Sequence, residues 1–296
     1  MGVLRCQFWR NDCKRQSKRG DHNLSIEAIS DQNLEQIGKI MKDRLGKDLG
    51  QFKKPFLNRR INARMRSVGV TTGSEYAQLL ASDTNEPALL FKSFSINVTE
   101  FYRDLFVWQH LSSHVIPELA KRYTTLKVWS AGCASGEEPY SLAILLREAL
   151  GQKAKFSVIA TDISADAIAR AQKGQYLAQN IKNLSADIVS KYFTASGNNS
   201  FTINDSIKDL VKFEHGDIVS FAIDKVDLIT CRNVLIYYDK PAQELVFKKF
   251  HRTMQADSYL VIGQDETMMG IEASKMFSCI FARERIYKNI ISGSKP

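Results

Sequence analysis

The residues best placed to do chemistry cluster after one short apolar run. Leu126-Lys-Val-Trp-Ser-Ala reads as a buried strand, and it leads into Gly132-Cys-Ala-Ser-Gly136 with a helical pattern behind it. In an α/β sheet, nucleotide-like ligands bind outside the carboxyl ends of the strands. Glycines at such a turn let backbone approach a ligand. The spacing here is G-x-A-x-G, not the G-x-G-x-x-G of a dinucleotide fingerprint and not a P-loop with its Lys-Ser/Thr. A pyrophosphate or triphosphate cradle is therefore not indicated. A second apolar run, Phe156-Ser-Val-Ile-Ala-Thr, ends in Asp162. A carboxylate there can accept hydrogen bonds from both hydroxyls of a ribose. Glu137 and Glu138 crowd the start of the helix beside the glycines, where they repel phosphate and attract a cation. A glycine loop, a ribose-binding acid and an anionic rim fit S-adenosylmethionine, which has a ribose, a sulfonium and an amino group but no phosphate. Taken singly, Gly132 and Gly136 also fit plain turn glycines, and Asp162 a helix cap.

These residues need a scaffold, and the periodicity supplies one. From about residue 126 strands alternate with helices. Glu138 to Leu150 reads as a helix closed by Gly151, and a further helix runs from Asp162 through Ala171. Val226-Asp-Leu-Ile-Thr-Cys is another strand, followed by a helix over about 242–254 and the strand Tyr259-Leu-Val-Ile. Phe281 to Ile290 fits a last, antiparallel strand. This alternation predicts a doubly wound α/β sheet. Phe201-Thr-Ile and Leu210 to Glu214 interrupt it and predict a small β excursion.

The preceding segment is helical. Ile26, Ile29, Leu34, Ile37, Ile40, Met41 and Leu45 recur at three- and four-residue spacing. A second helix is expected from Pro55 to Val68, with Phe56, Leu57, Ile61, Met65 and Val68 as its apolar stripe. Arg59, Arg60, Arg64 and Arg66 lie off that stripe and make a basic face. Helices over about 74–81 and 86–95 complete an all-α unit. The expected organisation is a basic, disordered leader (1–22), a helical amino-terminal domain (23–96), a linker and motif region (97–125) and an α/β domain (126–296).

Composition narrows the class. The 296 residues are 44% hydrophobic and 25% charged, ordinary for a globular chain. No apolar run approaches the ~18 residues of a membrane helix, and the first twenty residues lack a signal-peptide core. Five cysteines (Cys6, Cys13, Cys133, Cys231, Cys279) form no CxxC pair, which argues for a reducing compartment and against structural zinc. The net charge of +9 is concentrated: residues 1–66 hold sixteen Lys/Arg and seven Asp/Glu, and the remainder holds 25 of each. The amino-terminal quarter is thus a candidate docking surface for an anionic partner.

Three longer stretches resemble a known family. Val128-Trp-Ser-Ala-Gly-Cys-Ala-Ser-Gly-Glu-Glu-Pro-Tyr-Ser141 is similar to the S-adenosylmethionine motif of CheR, the chemotaxis receptor methyltransferases. Cys231-Arg-Asn-Val-Leu-Ile-Tyr-Tyr-Asp239 resembles their second signature. Asn97-Val-Thr-Glu-Phe-Tyr-Arg-Asp104 resembles a third, in which many members have Phe at the place of Tyr102. Order and spacing agree, and the resemblance covers about residues 25–290. It implies a Rossmann-like class I methyltransferase sheet with a small antiparallel β-subdomain at about 194–213, preceded by an all-α domain. It also implies methylation of glutamate side chains on chemoreceptor cytoplasmic helices, in the cytoplasm, with S-adenosylhomocysteine as product. Carried over residue by residue, the cofactor contacts are Asn97, Thr99, Arg103, Glu138, Asp162, Asp217, Ile218, Arg232 and Asn233. Asp217 departs from members with Asn there, and Gly263-Gln-Asp-Glu266 departs from members with His-Ser before the Glu.

In some members the β-subdomain loop binds a receptor carboxyl-terminal pentapeptide. Ala195-Ser-Gly-Asn-Asn-Ser200 is short, so independence of such a pentapeptide is expected. A monomer without metal, membrane insertion or nucleic-acid partner is expected as well.

A solvent-exposed Glu has a pKa of ~4.3 and is already ionised near neutrality. Methyl transfer to it needs no general base, and no Ser-His-Asp or Cys-His set is visible. Arg103 and Tyr237 are the candidates for holding the carboxylate, and Arg59, Arg60 and Arg64 for steering the Glu-rich helices. Tyr237 also fits a packing aromatic, and Arg103 a surface ion pair with Asp104 or Glu100. The alternative is an RNA methyltransferase with a basic RNA-binding amino-terminal domain, with Cys231 as a conceivable nucleophile. No Pro-Cys motif supports it. A non-enzymatic S-adenosylmethionine sensor is a further rival, against which intact Arg103, Asp162 and Tyr237 speak.

Overall fold

The computed structural model describes residues 27–95 and 98–290. The leader 1–22 and Asn97 lie outside the described residues. Four helices come first: α1 (Asp31–Leu45), α2 (Lys54–Val68), α3 (Gly73–Ser82) and α4 (Glu86–Ser93). Their ends follow from local chemistry. The Ser30 side chain accepts the Asn33 N–H at the start of α1, and left-handed Gly46 (φ 65°) ends it. Pro55 sits in the first turn of α2, where its missing N–H costs nothing, and Gly69 (φ 77°) closes it.

The stretch expected as a linker is mostly helical. It holds α5 (Leu105–His110), a π-turn (Leu111–Val115) and α6 (Ile116–Arg122). The π-turn precedes Pro117, and its wider ring closes with the Ile116 N–H donating to the Leu111 carbonyl. Val107, Trp108, Leu111, Val115, Ile116 and Leu119 are all buried, so this segment is part of the core.

The main sheet has seven strands: β1 (Thr125–Ala131), β2 (Lys155–Asp162), β6 (Val211–His215), β7 (Val226–Cys231), β8 (Met254–Ile262), β9 (Phe277–Phe281) and β10 (Ile286–Asn289). Their order is β6-β2-β1-β7-β8-β10-β9. The first five in that order pair in parallel, and β10 and β9 are antiparallel. Helices α7 (Glu137–Leu150), α8 (Ala165–Lys173) and α11 (Lys240–Thr253) make the crossovers. The strand order reverses between β1 and β7, and a crevice opens there at the carboxyl ends.

Alternation along the strands sends side chains to two cores. Trp129 and Ala131 of β1, with Ile229 and Cys231 of β7, join a core with α11 that continues into α1–α4. Val128 and Leu228 face the other way and pack with α5, α6 and α7. The helical unit is therefore fused to one face of the sheet. A bridge between Phe52 and Tyr238 stitches the two, with the Lys53 N–H donating to the Tyr237 carbonyl.

The β excursion differs from expectation. Leu210 to Glu214 does not join it: β6 is the outer strand of the main sheet, in parallel register with β2. The small sheet has the order β3-β5-β4, from β3 (Gln175–Leu177), β4 (Phe193–Gly197) and β5 (Ser200–Ile203), all antiparallel. A strand pattern in sequence specifies faces but not partners, and that is why β6 was assigned to the wrong sheet.

Candidate active site

The crevice is a solvent-open cleft of about 1040 Å³ between the sheet and the helical unit. Thr99, Arg103, Glu138, Asp162, Asp217, Ile218, Arg232, Asn233 and Tyr237 all line it. They arrive from the end of β2, the first turn of α7, the loop after β6, the turn after β7 and the 98–104 segment.

The glycine loop is held from below. Gly132 and Cys133 donate their N–H groups to the Thr161 carbonyl at 2.8 and 2.9 Å. Packing also demands both glycines, and Gly132 lines the cleft as well. Both have positive φ, and a Cβ on Gly132 would meet Val234 at 2.4 Å. One on Gly136 would meet Ala171 and the Tyr176 hydroxyl at 2.9 Å.

Asp162 accepts the Ala134 N–H at one oxygen and the Ser164 N–H at the other, each at 2.9 Å. Each oxygen keeps a lone pair. Burial pushes this carboxyl above its ordinary value, and those two donors oppose the shift. The cap of α8 is Ser164, not Asp162.

Glu138 ties the two sides of the crevice together. Its Oε1 accepts the Ser130 hydroxyl of β1 at 2.8 Å and the Thr230 hydroxyl of β7 at 2.6 Å. Its Oε2 has Arg232 at 3.8 Å. Asp217 Oδ1 accepts the Val219 N–H at 2.8 Å, and Ile218 beside it is buried.

Arg232 is engaged inside the protein. Its Nη2 donates to Asp104 Oδ2 at 2.6 Å and to the Arg103 carbonyl at 3.0 Å, and its guanidinium lies over Trp108. Trp108 Nε1 donates to the same carbonyl at 2.8 Å. Tyr102 and Asp104 both have left-handed φ (49° and 60°), so Arg103 sits on a constrained turn. Its side chain has no carboxylate partner among the described residues. Asp104 is taken by Arg232 and Glu100 by Lys182, and Arg103 Nη1 reaches only the Val98 carbonyl at 3.3 Å.

Tyr237 lies on a 3-10 turn (Leu235–Tyr237), half-buried, with its ring 4.8 Å from that of Phe56. Burial pushes its phenol up, and the charges of Arg59, Arg60 and Arg103 pull it back. Arg59 and Arg60 stand over the Phe56 ring at 6.0 and 5.5 Å. The positive charge of three guanidiniums thus acts on one phenol. Phe52, Phe56 and Phe94 support this corner, but each is buried and none is open for base stacking.

Arg64 does not belong to that group. Its Nε and Nη2 fork onto Glu86 at 3.0 and 2.6 Å, and the Tyr76 hydroxyl joins them at 2.7 Å. It is a structural pair within the helical unit, with Glu86 itself buried. Cys231 is fully buried, and desolvation pushes its thiol well up, the opposite of a nucleophile's environment.

Four residues act here beyond what the sequence assigns them: Phe56, expected in the apolar stripe, lies beneath the arginines, Asp104 and Trp108 hold Arg232, and Glu266 lies behind the 234–237 turn. The available signal for Asp104 and Glu266 was a lone carboxylate beside a motif or a strand end.

Residues 97–286 match the family described as "CheR methyltransferase, SAM binding domain", and residues 32–95 match "CheR methyltransferase, all-alpha domain". A chemotaxis protein methyltransferase of Borreliella burgdorferi is 31% identical over 261 residues, covering 84% of this chain and 92% of that protein. One of Listeria innocua is 32% identical over 237 residues, covering 78% and 88%. One of Escherichia coli is 28% identical over 254 residues, covering 83% and 87%.

Proposed function

Because the chain belongs to the CheR family of S-adenosylmethionine-dependent methyltransferases, we propose that it methylates glutamate side chains on chemoreceptor cytoplasmic helices, forming methyl esters that adjust sensory output. One observation carries this reading. The cleft carries carboxylates at the sheet end, through Glu138, Asp162 and Asp217, and Arg103 with Tyr237 at the helical end, where Arg59 and Arg60 stand over the adjoining Phe56 ring. The first end suits a cofactor bearing an ammonium and a sulfonium. The second suits an anionic acceptor.

The residues present fit the cofactor. Glu138 Oε2, with Arg232 at 3.8 Å, accepts no hydrogen bond among the described residues and can take an ammonium, and both Asp162 oxygens retain capacity for ribose hydroxyls. Asp217, Ile218, Asn233 and Thr99 would line the remainder, and no lysine among the cleft residues invites a phosphate. When bound, S-adenosylmethionine supplies an electrophilic methyl on a cationic sulfur. Arg103 and Tyr237 orient the acceptor carboxylate, and Phe56 excludes water behind them. The acceptor is already ionised, so these residues hold no proton for it. A few contacts suffice, because tighter ground-state anchoring would slow the transfer.

Incubation with methyl-labelled S-adenosylmethionine and a chemoreceptor cytoplasmic fragment tests this. Label released from receptor as methanol by mild base is expected. Base-stable label in total RNA run in parallel would replace the reading with the RNA alternative.

Two expectations arise from the surface. Arg59→Glu should raise KM for receptor about tenfold, ~1.4 kcal/mol, and the effect should shrink as salt is added. Arg60→Glu should behave alike. Arg64→Ala should instead destabilise the fold by about 2 kcal/mol through lost charged hydrogen bonds, with KM unchanged. A salt-insensitive KM in Arg59→Glu, or a raised KM in Arg64→Ala, would contradict this division.

The β4–β5 hairpin turns tightly through Asn198 and Asn199, both with positive φ (48° and 56°). It offers little loop for a carboxyl-terminal pentapeptide. Excess free pentapeptide should therefore leave receptor methylation unchanged, and inhibition would show the dependence.

A further inference from the structure

Glu266 is buried, with 3% of its surface exposed, and it does not line the cleft. Its Oε1 accepts three successive backbone N–H groups: Val234 at 2.7 Å, Leu235 at 2.6 Å and Ile236 at 3.3 Å. Its Oε2 accepts the Gly263 N–H. Successive amides aimed at one point form a nest that favours an anion, and here the anion is internal. Four donors satisfy a charge that would otherwise be costly at this depth. Gly263 permits the approach, since a Cβ there would meet the Asn233 N at 2.7 Å and Glu266 Oε2 at 2.8 Å.

The carbonyls of the same turn are served separately. Gln243 Nε2 donates to Leu235 O at 2.8 Å and Tyr238 O at 3.2 Å. The turn ends in Tyr237, whose hydroxyl has no hydrogen-bond partner among the described residues. The phenol is thus placed by its backbone and by Phe56, not by a bond of its own.

We propose that Glu266 is a positioning residue for methyl transfer, the internal anion that fixes the 234–237 turn and so sets where the Tyr237 phenol stands in the cleft. This rests on the methylation reading above. Glu266→Gln keeps the shape but turns a donor toward at least one amide. On the receptor fragment, kcat should fall about 10- to 30-fold, less than the ~10²-fold that a 1 Å misplacement of an orienting group costs. KM should stay within about twofold. Acting through Tyr237, the loss should be non-additive: Tyr237→Phe with Glu266→Gln should lose no more than about twofold beyond Tyr237→Phe alone. Multiplying losses, or wild-type kcat in Glu266→Gln, would overturn the proposal. If Glu266→Gln does not fold, the same cycle with Gln243→Met decides by the same criterion.

A second readout needs no substrate. The ultraviolet titration of Tyr237, taken as the difference between backgrounds with and without that phenol, should move to lower pH in Glu266→Gln. Loss of the nearby negative charge and looser burial both act in that direction. An unmoved titration refutes the positioning role even if the wild-type protein fails to methylate receptor. That failure would itself count against the proposed reaction, not against the turn.

Discussion

Arg103→Ala is expected to lower kcat for receptor methylation by about 10³-fold, the scale of removing one preorganised charge-stabilising donor from an active site. The structure separates this loss from folding. The turn that carries Arg103 is held by its carbonyl, which accepts Trp108 Nε1 and Arg232 Nη2, and by the Arg232–Asp104 pair. None of these uses the Arg103 side chain. Among the described residues that side chain reaches only the Val98 carbonyl, at 3.3 Å. Truncation should therefore shift stability by less than about 1 kcal/mol, as for a surface change away from the core. Arg103→Lys keeps the charge but loses the fork, and should fall between the two. Cofactor affinity, followed by titration, locates the role. A loss confined to kcat assigns Arg103 to the acceptor carboxylate, and an equal loss in cofactor affinity assigns it to the cofactor. Near-normal turnover in Arg103→Ala would remove it from the chemistry altogether.

What the sequence made legible follows from burial. β1 and β7 are covered on both faces, so both read as largely apolar runs. Asp162 at the end of β2 and Glu138 in the first turn of α7 stand out beside such runs, Arg232 comes with the family motif, and the cleft gathers all three. β9 was missed because Ser278, Cys279 and Ile280 are exposed on an edge strand, leaving little periodicity to read. β3 is three residues long, below what a pattern can register. The helical run 105–122 does not read as a helix in sequence because Pro117 interrupts its period, and the π-turn that accommodates the proline shifts the apolar stripe by one residue.

Partners proved harder to read than elements. Arg64 and Glu86 are 22 positions apart, and nothing local distinguishes Arg64 from Arg60 four residues earlier. Helix geometry divides them: Arg60 turns toward Phe56 and Tyr237, Arg64 toward α3 and α4. Glu266 and its four amides come together only when β7 and β8 lie side by side. Single charged residues are visible in a sequence, whereas the backbone donors that satisfy them are not.

The second large effect concerns Glu137, behind the glycine loop. Its carboxyl is almost wholly buried at the start of α7 and accepts the Ser135 hydroxyl at 2.8 Å and Asn180 Nδ2 at 3.1 Å. Burial pushes it from 4.5 up to about 7, more than those donors and the charge of Arg170 pull it down. The folded protein therefore binds this proton more tightly than the unfolded chain. The stability it contributes is fully present below about pH 4.5 and is lost as pH rises to about 7. The cost of the charged form above that window is on the order of 3 kcal/mol. Glu137→Gln has no proton to lose. Its stability relative to wild type should be level below the window and climb by about 1.4 kcal/mol per pH unit inside it. Above the window it should level off again, with the variant the more stable. Denaturant unfolding of both proteins across this range reads the difference directly. Parallel stability curves would mean that the α7 amino terminus already compensates the charge, since its free N–H groups favour an anion there. In that case Glu137 is ionised at neutral pH and adds to the negative field that the sheet end of the cleft presents to a cationic cofactor. A climbing difference would mean that Glu137 is largely neutral below pH 7, leaving that field to Glu138, Asp162 and Asp217.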